Sequence, residues 1–130
     1  MNRKDGDDSL HCRILAVLSI TGDFLPTQIT RALGVSPSSA GRMGGVGSWE
    51  LCSEARVEAA DAEENLKWIL DQVEAKKSVL DGLKRSGCEI EIFFVREQES
   101  ERIHEMPPLS PETMRRVTGL GIDIVLLIDD

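Results

Sequence analysis

Two histidines, three cysteines and one glycine-rich run are the residues of this 130-residue chain that chemistry would draw on first. His11 stands beside Cys12, but the pair falls in an alternating, strand-like stretch. Neighbours on a strand point to opposite faces, so the two do not converge. His104 lies in the charged run from Glu97 to Glu105, the pattern of a solvated loop. Neither histidine has Cys, His or carboxylate neighbours at metal-ligand spacing. Cys12, Cys52 and Cys88 are far apart and odd in number. That arrangement, without CxxC spacing, argues against a disulfide framework or a zinc site and points to buried free thiols. Asp7, Asp8, Asp129 and Asp130 lack the order of a calcium loop and read as solvated ends.

A nucleophile also needs a base and an orienting group. The chain has no Gly-x-Ser-x-Gly elbow and no Gly-x-x-x-x-Gly-Lys phosphate loop. Its glycine run, Gly41 to Gly47, precedes a short strand. A dinucleotide-binding turn lies between a strand and a helix, so flexibility is the simpler purpose here. We therefore expect no catalytic residue, no metal ligand and no cofactor, and the sequence points away from an enzyme.

Three binding readings remain. The first is recognition of a protein partner. The second is a small-molecule-binding or enzymatic cleft between Asp23, Arg42, Trp49 and the glycine loop, where an indole and a guanidinium would suit an anion. The third is a helix-turn-helix over residues 27–42, with Gly34 at the turn. Gly41, Gly44 and Gly45 fall in its second helix, and each costs about 1 kcal/mol there.

Charge and composition weigh on these readings. The formal charge is −8, which repels nucleic-acid phosphate and anionic lipid. A basic partner is permitted by that charge, not required by it, and solubility alone accounts for it. Aromatic residues are 4%, with no Tyr, so platforms for stacking bases are not expected. Arg3 and Lys4 precede the apolar run Ile14 to Ile20, but Asp5, Asp7 and Asp8 spoil a signal peptide. No run approaches the roughly 20 apolar residues of a membrane span. We expect a cytoplasmic protein that contacts neither membrane nor nucleic acid.

The elements follow from periodicity. Residues 1–9 are polar and expected to be a disordered tail; residues 10–130 read as one domain. Leu10 to Ile20 alternates as a strand, with Ala16, Leu18 and Ile20 on its apolar face. Pro26 opens a short helix that Gly34 closes, with Val35 as its apolar clamp. Residues 36–48 read as a loop or a very short hairpin, and Ser48 to Ser53 as a strand with Trp49 and Leu51 on one side. Asp61 and Glu64 form a capping-box pattern. Leu66, Ile69, Leu70 and Val73 make a helical stripe, while Val79, Leu80 and Leu83 point a quarter-turn away. That change predicts a break near Ala75–Ser78. Cys88 to Arg96 is a strand, and residues 97–108 read as a charged loop. Ser110 and Pro111 open a helix with Met114 and Val117 inward; Gly119 and Gly121 bound a turn into a last strand, Ile122 to Ile128.

The expected fold is α+β: a two-layer sandwich with a mixed four- or five-stranded sheet and helices on one face, ferredoxin-like in type. The other face is polar at His11, Arg13, Glu89, Glu91 and Asp123 and apolar at Leu15, Val17, Phe93, Val95, Val125 and Leu127. A loop, the bent helix, a partner or a second copy of the chain would cover its apolar half.

The string from Ser19 to Ser38, with Gly22-Asp23-Phe24, Pro26, Ile29-Thr30 and Leu33-Gly34-Val35, resembles the opening signature of a bacterial family called domain of unknown function 4279. Gly44, Trp49 with Leu51, residues 61–86 and residues 122–128 match the rest of its pattern, over roughly residues 10–128. The resemblance implies that Leu33-Gly34-Val35 ends a helix and feeds a loop, in place of a turn between two helices. The chain departs from the pattern at Arg42 and Met43, which are all that remains of a longer hairpin, and at Asn65, where members often carry His. The family brings no activity to transfer. By analogy with other small bacterial domains, an immunity protein that neutralises a toxin is the most concrete form of the protein-binding reading.

Overall fold

The computed structural model describes residues 13–54, 57, 61–97, 101–103 and 105–126. In chain order the elements are β1 (Ile14–Gly22), α1 (Pro26–Leu33), β2 (Ser39–Met43), β3 (Val46–Cys52) and α2 (Ala62–Val73). A single 3₁₀ turn (Glu74–Lys76) leads into α3 (Lys77–Arg85), β4 (Glu89–Arg96), β5 (Glu101–Arg102), α4 (Pro111–Leu120) and β6 (Asp123–Ile124). The expected tail at 1–9, His11, Cys12 and His104 lie outside the described residues, as does the end of the last expected strand, 127–128.

The strands form one sheet in the order β2-β3-β1-β4-β5, with β6 also on β4. The β4–β6 pair is parallel and the others are antiparallel, so the sheet is mixed. Every second residue of the central strands faces the helices. Ala16, Leu18 and Ile20 of β1, Trp49 and Leu51 of β3, and Ile90, Ile92 and Phe94 of β4 join one apolar core with the helices. The helices supply Ile29 and Leu33, Leu66, Ile69, Leu70 and Val73, Leu80, and Val117 and Leu120. All of these belong to one face of the sheet, which makes the α+β two-layer arrangement.

Local chemistry explains the element ends. The Asp61 side chain accepts from the Glu64 N–H at 3.1 Å and so caps α2. The 3₁₀ turn at Glu74–Lys76 supplies the break that the shifted apolar stripe requires. Gly34 and Gly121 close α1 and α4 in the left-handed conformation, at φ 73° and 68°. Gly44 and Gly45, at φ 60° and 86°, make the two-residue turn of the β2–β3 hairpin.

Three expectations change. Gly119 lies inside α4 and not in the turn after it. Met114 is exposed, and Thr113 takes the inward position beside Val117. Residues 97–108 are not wholly loop, because β5 pairs Arg102 with Val95. There the Arg102 guanidinium lies 3.7 Å from the Phe93 ring centroid.

Candidate interaction face

Asp23, Arg42 and Trp49 meet at one end of the sheet, but not as the rim of a cleft. Arg42 is on the edge strand β2, opposite Gly47 of β3. Its Nη1 donates to the Phe24 carbonyl and its Nη2 to the Gly45 carbonyl at 3.2 Å. Asp23 adds an ion pair at 3.9 Å, with a side chain 96% exposed. Arg42 therefore ties the turn after β1 to the hairpin, and two of its nitrogens are spent on carbonyls. Trp49 is fully buried in the core, and its Nε1 donates to Thr30 Oγ1 at 3.0 Å. The indole anchors α1 to the sheet and presents no surface to a solute.

A recognition helix is likewise not formed. The residues that would begin it, Ser39–Met43, are strand β2. The Leu33-Gly34-Val35 element ends α1, and Val35 packs against the core.

Among the described thiols, burial pushes Cys52 up, with the Glu54 and Glu50 charges adding to it. Burial also raises Cys88, helped by Asp23. A raised thiol is less ionised at neutral pH and so less nucleophilic.

Three side-chain networks elsewhere join elements together. Glu63, in the first turn of α2, accepts from the Ser110 N–H at 2.9 Å and from Thr113 Oγ1 at 2.6 Å. Those bonds hold its carboxyl down at about 2. Arg116 of α4 reaches Glu74 at 2.8 Å and Asp71 at 2.6 Å. At the other end, Arg13 grips Glu97 with Nε at 2.9 Å and Nη2 at 2.8 Å. It also donates to the Glu54 and Val57 carbonyls.

The face of the sheet away from the helices has a graded character that spacing alone does not reveal. Register places its side chains in cross-strand rows. Leu15 and Val95 form one row, and Cys52, Val17 and Phe93 the next. Leu15, Val17 and Phe93 are at most 6% exposed, so this apolar part is already covered within the chain. The next row is Ser39, Glu50, Ser19, Glu91 and Asp123. Beyond it come Gly41, Ser48, Thr21 and Glu89. The hairpin end carries Met43 opposite Val46. These two are 84% and 53% exposed. Among the described residues no strand pairs with the outer edge of β2. A cavity of about 330 Å³ opens at the β4 edge, between Lys84, Glu89, Glu91, Gly121 and Asp123.

The pairing Met43–Val46 is not fixed by the sequence pattern, since residues 36–48 fit either a loop or a very short hairpin. The Gly44-Gly45 dipeptide, a favoured two-residue hairpin turn, is the sequence signal for it.

No helix among the described residues is long and apolar enough to cross a membrane. No curated protein and no solved structure matches the chain. One family model does, over residues 11–130, which is nearly the whole chain and includes the α1 signature, the Trp49 strand and the bent helix just described. The chain belongs to the family of the domain of unknown function DUF4279.

Proposed function

We propose that this chain is a non-enzymatic protein-binding module that offers the hairpin end of its second sheet face to a protein partner. The observation that carries the reading is the exposure of Met43 and Val46, at 84% and 53%, side by side on that face. Large apolar side chains at such a rim gain most from being covered. Leu25, next to the carbonyl that Arg42 holds, is a third exposed apolar side chain at the same end of the sheet. The outer edge of β2, unpaired among the described residues, adds backbone donors and acceptors that an incoming strand can use.

The charge of −8 is compatible with a basic partner, and immunity to a basic toxin is the concrete form of that. The free thiols at Cys52 and Cys88 support a reducing, cytoplasmic setting. The β-α-β-β-α-β succession, with β1 between β3 and β4, supports a ferredoxin-like frame.

The test is a paired capture from the source cells, with the wild type and with Met43→Ser/Val46→Ser as baits. A protein retained by the wild type and lost with the double variant is the expected result. Equal retention by both baits contradicts the reading. Self-association alone, seen by light scattering, replaces the protein partner with a homodimer through the same face.

A further inference from the structure

We propose that the row Glu50–Ser19–Glu91–Asp123 on the second sheet face is a receptor for an arginine side chain of the protein partner. This rests on the partner-binding reading above and names the chemistry that the same face would recognise.

The row is built by three strand pairings. Ser19 of β1 is the register partner of both Glu50 and Glu91, and Glu91 is the register partner of Asp123. Partners in register point to the same face. Glu50 and Glu91 therefore flank Ser19 at two strand spacings from each other, about 9.6 Å. One planar guanidinium fits that span, with a carboxylate on either side of it. Glu89 stands one row away on the same strand as Glu91.

Two observations separate this row from a merely acidic surface. First, Ser19 is 8% exposed, and its hydroxyl has no hydrogen-bond partner among the described residues. A buried hydroxyl without a partner is costly, and this one stands between two carboxylates. An arginine N–H would satisfy it. Second, none of Glu50, Glu89, Glu91 and Asp123 forms an ion pair among the described residues. The cation that lines the cavity, Lys84, donates to other partners. Its Nζ donates to the Leu120 and Gly121 carbonyls at 3.1 and 2.9 Å and lies 3.6 Å from Asp81. The same face already seats one guanidinium, that of Arg102 on Phe93. It does so in the apolar rows, beyond the carboxylates.

The experiment uses labelled hexa-arginine as the probe, followed by fluorescence anisotropy at about 0.15 M salt, where distant charges are screened. The proteins are the full-length wild type, Glu50→Gln/Glu91→Gln/Asp123→Asn, and Glu64→Gln/Glu105→Gln/Glu112→Gln. The last removes three exposed carboxylates elsewhere and so matches the charge change. The row variant is expected to bind at least about tenfold more weakly, and the control within about twofold of wild type. Ser19→Ala, which removes only the hydroxyl, is expected to weaken binding while melting no lower than wild type. Equal losses in the row variant and the control show polyelectrolyte attraction only and overturn the proposal, as does the absence of binding. If the row variant captures the cellular partner as well as wild type does, the receptor falls while the module stands. If Met43→Ser/Val46→Ser also captures it, the module reading falls by itself.

Discussion

At Gly47 a Cβ would stand 2.3 Å from the Phe24 carbonyl oxygen and 2.8 Å from its ring. Neither the backbone nor the buried ring can yield that distance cheaply. Gly47→Ala is expected to lower stability by about 1–3 kcal/mol in urea unfolding. Gly41→Ala, one strand away in open space, should stay within about 0.5 kcal/mol. Glu63 carries a pH dependence. Its carboxyl is held at about 2 in the folded chain against an ordinary 4.5, by the bonds from Ser110 and Thr113. The unfolded chain therefore binds the proton more readily between those values. Glu63 adds stability that is complete above about pH 4.5 and is lost as pH falls toward 2. Glu63→Gln should flatten the fall of Tm with acid across that window, as read by circular dichroism melts. At this scale the sequence spoke unevenly. Asp61 and Ser110 were legible as caps because capping chemistry is local. The roles of Arg42 and Trp49 were not, because which carbonyl or hydroxyl meets a side chain depends on what the fold brings beside it.

Among the elements, the bent helix shows how far periodicity reaches. The apolar stripe shifts between Val73 and Val79, and the 3₁₀ turn at Glu74–Lys76 sits in that interval. Both halves then bury their own side of the same core, through Leu66, Ile69, Leu70 and Val73 and through Leu80. The cap that starts the first half is worth testing directly. Asp61→Ala should cost about 1 kcal/mol of stability, the usual worth of a helix N-cap, measured by denaturant midpoint. In α4 the apolar pattern points inward at Met114, whereas the fold buries Thr113. Met114 and Thr113 are neighbours, and a ten-residue helix with few apolar positions leaves its rotation loosely specified. The bond from Thr113 to Glu63 settles the rotation, and that bond joins residues fifty positions apart. The two-residue β5 was missed for a related reason: a strand so short has no alternation to read.

On the scale of the molecule, the alternation of strands β1, β3 and β4 predicts one wholly apolar face, and the core is built on it. The second face was legible as mixed but not as ordered, because rows appear only once the register is known. Register turns Ser19, Glu50, Glu91 and Asp123, scattered over more than a hundred positions, into a line across the sheet. It also puts Met43 beside Val46 at the end of the same face. In the helix layer Asp71 and Glu74 share the guanidinium of Arg116, so these two carboxylates already have a cation partner.

The most direct test is amide chemical-shift mapping of the isotope-labelled full chain as its captured partner is added. Shifts concentrated at Met43, Val46, Ser48, Glu50, Ser19 and Glu91 are predicted. Shifts confined to the outer surfaces of α2 and α4, with the second sheet face unmoved, would contradict the account.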